Sequence, residues 1–313
     1  MNGAITIDII GPLLELLENS PWEAITDAGM KARQHFGDRA DPCSIINAKS
    51  GNCSEDCAFC AQSVHHNTDA EAYPLRDRET IVEAARKAYG YGVRRFCIVT
   101  SGRGIYSDSE LETIADCIRE IKAIGFNPCA TLGTLTREQL AFLKDAGLHR
   151  YHHNIETSKN FFPNICSTHT FEERLETLNT AKEVGLSLCS GGIMGLGETM
   201  RDRAEMALSL REMDVDSVPL NFLMPIPGTR LEGADFITPL EALKTIALFR
   251  HILPDKEIRI CGGRAIALRD LHPMIFLAGA NGLLMGDYLT TKGRDFESDR
   301  LMLADLGLKL ANE

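Results

Sequence analysis

The sequence has no long hydrophobic run and no excess of positive charge. No stretch of its 313 residues approaches the roughly 18 consecutive apolar residues that a membrane-spanning helix needs. The first twenty residues include acidic side chains and no basic segment, which argues against a secretory signal peptide. The formal net charge of −11 argues against a nucleic-acid partner held mainly through phosphate contacts. These absences predict a cytoplasmic protein without membrane or nucleic-acid partners.

Low-complexity linkers and a glycine-rich dinucleotide loop are also missing. What recurs is a short apolar run, a loop and an amphipathic stretch. The pattern predicts eight strands, at residues 44–51, 94–102, 127–133, 150–157, 186–195, 217–225, 257–263 and 282–287. Eight alternations in about 250 residues are typical of an α/β fold of the (β/α)8 TIM-type barrel class. A doubly wound sheet is the less favoured alternative, because no fingerprint loop follows the first strand.

The chain is predicted to form a single domain with an N-terminal helical extension. Helices are expected at residues 8–18 and 20–36, within a segment 1–40 that packs on the barrel. The barrel itself spans residues 41–313 with a C-terminal extension. Functional groups of such barrels lie at the C-terminal ends of the strands.

Three of the ten cysteines fall within eight residues, in the segment "GNCSEDCAFCAQS" from Gly51 to Ser63. Cytoplasmic cysteines are reduced thiols or metal ligands rather than disulfides. Cys53, Cys57 and Cys60 follow the first predicted strand with C-x3-C-x2-C spacing. Thiolates at this spacing can reach three corners of one iron–sulfur cube and leave the fourth iron open. A zinc site completed by His65 or His66 is the less favoured alternative.

Three more cysteines occupy equivalent positions on predicted strands. Cys97, Cys129 and Cys189 lie on the second, third and fifth strands, so a barrel allows all three to project inward. This arrangement favours a second metal site over three separate core thiols. We interpret three others as structural: Cys43 before the first strand, Cys117 in a helical pattern and Cys166 in a loop.

Polar side chains alternate along the fourth predicted strand. The alternation places His152, Asn154 and Glu156 on one face, where a barrel interior would require polar partners or a ligand. Exposure at the rim is the alternative. The segment "GGIMGLGET" at residues 191–199 has four glycines in seven residues, which lets backbone approach a ligand or simply form a tight turn.

The triplet, with Phe59 before its last cysteine, resembles the radical S-adenosylmethionine superfamily. The wider segment resembles the biotin synthase family, and this resemblance runs from about residue 40 to 308. It implies a 4Fe-4S cluster on the triplet, whose open iron chelates the amino and carboxylate groups of S-adenosylmethionine. The reduced cluster would release a 5′-deoxyadenosyl radical, so no side chain is assigned as a catalytic acid or base.

The resemblance also implies roles for individual residues. Those expected to bind S-adenosylmethionine are Phe59, Asn154, Glu156 near the ribose, Arg174 at the carboxylate and Ile193 near the adenine. His152 and Asn221 match substrate-contacting positions. Two positions depart from the family pattern, which commonly has aspartate in place of Glu156 and asparagine in place of His152. The second departure affects the expected substrate geometry.

The resemblance implies an auxiliary cluster whose fourth ligand comes from the seventh predicted strand. The contexts of Cys97, Cys129 and Cys189 match the family's auxiliary ligands, and Arg259 in "IRICGGR" matches its unusual arginine ligand. Cys261 lies two residues further on the same face, where the family has serine. The resemblance implies Arg259 as the fourth ligand, but thiolate binds iron far better than guanidinium does. The fourth ligand is therefore expected to be either Cys261 or Arg259. The shorter cysteine favours a 4Fe-4S auxiliary cluster over a 2Fe-2S one.

The implied activity is insertion of sulfur from the auxiliary cluster into dethiobiotin to form biotin, with two molecules of S-adenosylmethionine used per product. A low-potential electron donor such as flavodoxin or ferredoxin is expected, as is a homodimer. One alternative is another radical enzyme of the same branch acting on a different small molecule. The alternative from another class is a non-catalytic iron–sulfur electron carrier or a zinc-stapled binding protein.

Overall fold

Parallel strands form a closed ring in the computed structural model, which describes residues 7–311. They are β1 (Arg39–Lys49), β2 (Arg95–Thr100), β3 (Asn127–Thr131), β4 (Arg150–His152), β5 (Ser187–Cys189), β6 (Gly192–Met194), β7 (Ser217–Phe222), β8 (Glu257–Ile260) and β9 (Gly282–Leu284). β5 and β6 together fill one place in the ring, and β9 pairs with β1 to close it. The predicted (β/α)8 TIM-type barrel is confirmed.

Helices surround this ring. They are α1 (Ile7–Asn19), α2 (Pro21–Phe36), α3 (Arg78–Gly90), α4 (Asp108–Ile124), α5 (Arg137–Asp145), α6 (Phe171–Val184), α7 (Met200–Glu212), α8 (Pro239–Ile252), α9 (Arg264–Leu268), α10 (Met274–Leu277) and α11 (Phe296–Asp305). The predicted N-terminal extension is formed by α1 and α2, and α2 packs along α8 and α10. A short strand β10 (Lys309–Leu310) pairs with the start of β1. No helix within residues 7–311 combines the length and apolarity needed to cross a bilayer.

Alternate residues on each strand face opposite sides of the barrel wall. On β2, Arg95, Cys97 and Val99 face the lumen, whereas Phe96 and Ile98 pack against the helices. Cysteine, histidine and arginine line this lumen, where barrel interiors are ordinarily filled by branched aliphatic residues. The outer core therefore stabilises the fold, and the lumen is left for chemistry.

The first strand begins earlier than the sequence pattern indicates. β1 starts at Arg39 rather than at residue 44, because its first residues pair with β10 and Asp41 to Cys43 pair with β9. Both partners lie at the far end of the chain, where a local pattern gives no signal. As a correction, Cys43 does not precede the first strand but lies within it.

The fourth and fifth predicted strands are shorter or broken. β4 ends at His152, and Glu156 has a φ of 68°, so simple alternation does not extend to that residue. The fifth strand breaks between β5 and β6 at Ser190 and Gly191. A Cβ on Gly192 would lie 2.0 Å from the Glu156 carbonyl oxygen, so only glycine permits this contact.

Candidate functional site

One cavity of about 420 Å³ occupies the barrel lumen and reaches the loops that follow the strands. It brings together every site residue predicted from the sequence. These residues are Cys53, Cys57, Phe59, Cys60, Cys97, Cys129, His152, Asn154, Glu156, Arg174, Cys189, Ile193, Asn221, Arg259 and Cys261. The cysteine triplet and the strand cysteines thus face a single cavity, which opens among the loops that follow the strands.

The triplet lies on the loop after β1, which is folded tightly on itself. The backbone N–H of Cys60 donates to the Cys57 carbonyl at 2.9 Å, and that of Cys53 donates to the Gln62 carbonyl at 2.9 Å. Burial raises the pKa of Cys60 to about 11. Hydrogen bonding with Cys166, together with burial, raises the pKa of Cys57. Both thiols are therefore neutral without metal and become thiolates only as ligands.

The spacing of the sulfur atoms tests which metal the triplet suits. Sulfur ligands of one zinc ion lie about 3.8 Å apart, given Zn–S bonds of about 2.3 Å. Within residues 7–311, the metal-ligand atoms that gather within 4.8 Å of one another are those of Cys57, Cys166 and His169, so the triplet is more widely spread. This spread fits three corners of a cluster, each ligand binding a different iron.

The two histidines considered for zinc face backbone instead. His66 Nδ1 lies 2.8 Å from the Cys60 carbonyl oxygen, and His65 Nε2 lies 3.0 Å from the Ser54 carbonyl oxygen. These hydrogen bonds hold the loop. His66 Nε2 is buried without a hydrogen-bond partner among the described residues, but neither histidine belongs to the set of ligand atoms that gather within 4.8 Å of one another. The zinc site considered as an alternative therefore has no fourth ligand from His65 or His66.

Deeper in the lumen, cysteines from separate strands converge. Cys97 and Cys129 are direct neighbours on β2 and β3, and Cys189 pairs with His152 across β4 and β5. Burial and the Cys129 thiol raise the pKa of Cys97. A hydrogen bond from Cys97, aided by the charges of His152 and Arg150, lowers the pKa of Cys129. One thiol of the pair therefore loses its proton readily. The second loses its proton only if a positive charge, such as a metal ion, offsets the additional negative charge.

Cys43 is a deep thiol whose position sequence reasoning missed. It is buried against Cys261 and Leu284, and its backbone on β1 pairs with Leu284 on β9. A hydrogen bond from Cys261 and the charge of Arg259 lower the pKa of Cys43, and the same contact raises the pKa of Cys261. Cys43 and Cys261 are therefore a second coupled pair facing the same cavity.

Beneath these thiols lies a network of three guanidinium groups and two carboxylates. Arg259 Nη2 donates to Asp41 Oδ2 at 2.8 Å and to Glu257 Oε2 at 2.7 Å, and its Nε donates to Ser217 Oγ at 3.0 Å. Arg150 Nη1 donates to Glu257 Oε2 at 2.6 Å. Arg95 completes the network through Asp41 and Glu257. One positive charge is left over, directly below the cysteines.

At the mouth, Arg174 joins the end of β4 to the start of α6. A capping box between Thr170 and Glu173 fixes the start of α6 and places Arg174 at its first turn. Arg174 Nη1 donates to the Asn154 carbonyl at 2.8 Å and lies 3.7 Å from Glu156 Oε1. Burial raises the pKa of Glu156, although Arg174 opposes the shift.

The predicted polar residues also hold backbone. Asn154 Oδ1 accepts from the Gly191 N–H at 3.1 Å, and Asn221 accepts from the Gly262 N–H at 2.9 Å. Burial opposes protonation of His152, but the charges of Cys189, Cys129 and Glu156 raise its pKa to about 9. His152 is thus a cation beside the thiols at neutral pH.

A second cluster missed from the sequence lies behind the triplet. Cys166 Sγ lies 3.9 Å from Cys57 Sγ, 3.3 Å from Asp56 Oδ1 and 3.3 Å from His169 Nδ1. The contacts with Cys57 and Asp56 join loops more than a hundred residues apart in the chain, and nothing in the local pattern of residues 165–170 predicts them. The interpretation of Cys166 as merely structural missed its contact with the triplet.

Comparisons with known proteins identify the family to which such a barrel and its cysteines belong. The Radical SAM superfamily model matches residues 48–210, and the Biotin and Thiamin Synthesis associated domain matches residues 219–309. The chain is 56% identical over 280 residues to the biotin synthase of Pelobacter propionicus, covering 89% of this chain and 85% of that protein. It is 55% identical over 297 residues to that of Geobacter sulfurreducens, covering 94% and 90%.

The chain belongs to the biotin synthase family. Family membership confirms the resemblance seen in the sequence, and with it the predicted 4Fe-4S cluster and S-adenosylmethionine. Solved structures agree on the fold. Methylornithine synthase superposes with a TM-score of 0.84 at 20% identity, covering 99% of this chain and 95% of that chain. The FeFe-hydrogenase maturase HydG from Carboxydothermus hydrogenoformans gives 0.77 at 18% identity, covering 92% and 71%.

Proposed function

We propose that this protein inserts sulfur into dethiobiotin to form biotin, using S-adenosylmethionine and two iron–sulfur clusters. The observation that carries the proposal is the single cavity lined by both sets of cysteines. A radical made at the mouth and a sulfur donor deep in the lumen can act on one substrate only if all three share an enclosed space. The wall of the barrel supplies that space and excludes water.

Cys53, Cys57 and Cys60 are the proposed ligands of the 4Fe-4S cluster. When bound, this cluster reduces S-adenosylmethionine and so supplies the 5′-deoxyadenosyl radical that abstracts hydrogen from the substrate. The chain's own contribution is to hold three thiolates on a tight loop and to leave one iron without a protein ligand. No protein acid or base is required for hydrogen abstraction.

S-adenosylmethionine is proposed to lie between the triplet and the strand ends. Arg174 offers a planar fork of donors to its carboxylate, which is the geometry that guanidinium groups provide best. Glu156 is proposed to bind the ribose hydroxyls, and Asn154, whose amide donates to Glu156 at 3.3 Å, is proposed to orient it. Phe59 and the backbone at Ile193 complete the proposed binding surface around the cofactor.

For the auxiliary cluster we propose Cys97, Cys129, Cys189 and Cys261 as ligands. Arg259 is the less suited alternative because its donors are already committed to Asp41, Glu257 and Ser217. Burial opposes the charge of Arg259, but the charges of Cys43, Asp41 and Glu257 outweigh burial and raise its pKa, so it stays a cation. The ligand set spans β2 to β8 and favours a 4Fe-4S auxiliary cluster over a 2Fe-2S one.

Dethiobiotin is proposed to lie between the two clusters. His152 and Asn221 face the cavity there and offer polar contacts to the substrate. We further propose a flavodoxin or ferredoxin as the low-potential electron donor, a homodimer as the assembly and the cytoplasm as the location. Residues 41–313 would act as one catalytic domain, with segment 1–40 packed on it.

The test is an anaerobic incubation of cluster-loaded protein with dethiobiotin, S-adenosylmethionine and a low-potential reductant. The proposal expects biotin, with two molecules of 5′-deoxyadenosine formed for each. Deoxyadenosine without biotin would favour a radical enzyme acting on a different small molecule. An iron-loaded protein that forms neither product would favour the electron-carrier alternative. A protein that contains zinc instead of iron would favour a binding protein stabilised by zinc.

A further inference from the structure

We propose that His169 is a positioning residue that links the cysteine loop to Arg174 and orients its guanidinium for the carboxylate of S-adenosylmethionine. The inference rests on the proposed function, in which Arg174 binds that carboxylate. His169 lies between two groups of opposite charge, Arg174 on α6 and Glu55 within the cysteine loop. Its contacts on both sides determine its proton position.

The hydrogen bonds fix the tautomer of His169. Arg174 Nε lies 3.0 Å from His169 Nε2, and a guanidinium N–H can only donate. Nε2 must therefore be the unprotonated acceptor, so the ring carries its proton on Nδ1. Nδ1 faces Glu55 Oε2, a carboxylate acceptor. The neutral ring is thus held at both nitrogens, and its plane is fixed.

Fixing His169 also fixes the plane of the Arg174 guanidinium. Nε donates to His169, and Nη1 donates to the Asn154 carbonyl at 2.8 Å. The cation also lies 5.6 Å from the centre of the Phe162 ring. The two bonded nitrogens hold the guanidinium plane beside the Phe162 ring, and Nη1 also lies 3.7 Å from Glu156 Oε1. Among the contacts of the described residues, Nη2 is therefore the nitrogen left to meet an anion in the lumen.

Glu55 ties this arrangement to the triplet. It lies between Cys53 and Cys57, and its Oε2 also accepts from Thr168 Oγ1 at 2.8 Å. Its Oε1 lies 3.2 Å from Ser54 Oγ and 3.7 Å from Arg103 Nη1. The loop that carries the thiols contacts the segment before α6 at several residues, and among these contacts the His169 imidazole is the one that reaches Arg174. Removing it frees the guanidinium to rotate while the cysteines stay in place.

The test measures the dissociation constant of S-adenosylmethionine for cluster-loaded protein by anaerobic equilibrium dialysis. His169→Ala should weaken binding about 10-fold, as loss of an orienting partner commonly does. His169→Gln offers an amide donor and a carbonyl acceptor, so it should stay within about threefold of the natural protein. His35→Gln, on the exposed end of α2, is the matched control and should change nothing.

A second background separates positioning from general damage. In Arg174→Met protein, His169→Ala should alter the dissociation constant less than about twofold, because the group it orients is gone. An equal loss in both backgrounds, a loss of iron in His169→Ala, or natural affinity in His169→Ala would each overturn the inference. Failure of the natural protein to bind S-adenosylmethionine would instead contradict the proposed function.

Discussion

Two side chains, Arg259 and Cys261, face the lumen two residues apart and offer very different chemistry. Arg259 is buried, and its hydrogen bonds go to the floor of the barrel. Cys261 is buried against Cys43 and Leu284, and its thiol contacts the Cys43 thiol and the Arg259 carbonyl rather than a carboxylate. At this scale, the thiol is the better metal ligand, and the guanidinium is the better counter-charge for a thiolate cluster.

Cys261→Ser should therefore lose the auxiliary cluster and keep the triplet cluster. Serine is a poorer iron ligand than thiolate, so iron and sulfide per chain should fall to the content of one cluster, and biotin formation should drop at least about 100-fold. Anaerobic iron and sulfide analysis checks this. Cys117→Ser, in the buried face of α4, is the control. Unchanged iron in Cys261→Ser would return the fourth position to Arg259.

Glu257→Gln should destabilise the barrel floor. Glu257 contacts Arg150, Arg95 and Arg259, so its loss leaves buried cations short of a partner and should lower the free energy of unfolding by about 3 kcal/mol at pH 7. Denaturant unfolding of iron-free protein measures this. Glu212→Gln, exposed at the end of α7, should be neutral.

The same variant carries a pH signature. Burial alone would raise the pKa of Glu257, but Arg259 and Arg150 outweigh it and lower that pKa. A carboxylate whose pKa is lowered in the native state contributes its full stabilisation above the unfolded pKa of about 4.3. That contribution to the free energy of unfolding is lost as the pH falls below this value. The difference between natural and Glu257→Gln protein should stay constant from pH 7 to about 5 and shrink below about 4.3. A difference that grew in acid would contradict this.

The chemistry-bearing residues could be predicted because their types and spacing are informative. Cysteines at strand positions and the triplet all reach the cavity. The sequence gives no sign of the contacts that Cys43, Cys166 and His169 make, because their neighbours are set by contacts across the fold. Cys43 lies in a strand start that β9 and β10 impose, and Cys166 meets Cys57 through a loop without periodicity.

At the scale of elements, the broken fifth strand shapes the site. β5 ends at Cys189, and β6 begins at Gly192, whose backbone contacts Glu156. The break turns the chain so that Cys189 faces the deep lumen while Ile193 faces the mouth. The glycine-rich turn after β6 is held by Glu198, which accepts from the N–H groups of Gly195 and Leu196 at 2.9 and 2.7 Å.

Gly192→Ala should displace Glu156 and weaken cofactor binding. The new Cβ would lie 2.0 Å from the Glu156 carbonyl oxygen, which is backbone and cannot rotate away. Affinity for S-adenosylmethionine should fall at least about 10-fold, measured by anaerobic equilibrium dialysis. Gly90→Ala, at the end of α3 with nothing within 4 Å, is the control. Natural affinity in Gly192→Ala would show that the contact is not needed.

The order and type of the elements could be predicted from periodicity, whereas their ends could not. The leading helices predicted at residues 8–18 and 20–36 are α1 and α2, and helices follow the barrel strands where the amphipathic stretches recur. The break at Gly191 and the early end of β4 depend on close backbone contacts between neighbouring strands. The only sign of such a contact in the sequence is a glycine, and a glycine is equally compatible with a loop.

At the scale of the whole molecule, the proposed clusters join distant parts of the chain. Their ligands come from the loop after β1 and from strands around the ring, so bound clusters act as cross-links. Anaerobic loading should raise the Tm of iron-free protein by at least about 5 °C, because a ligand that binds only the native state stabilises it. Equal Tm values before and after loading would contradict cross-linking by these cysteines.

The central claim is that three thiolates hold a cluster whose open iron binds S-adenosylmethionine. The most direct measurement is electron paramagnetic resonance of air-free, dithionite-reduced protein, recorded with and without S-adenosylmethionine. The account predicts a reduced 4Fe-4S signal that changes shape when S-adenosylmethionine is added. Replacing Cys53, Cys57 and Cys60 by alanine should abolish this response to S-adenosylmethionine, whatever signal the auxiliary cluster gives. A colourless protein that carries zinc and gives no signal after reduction would contradict it.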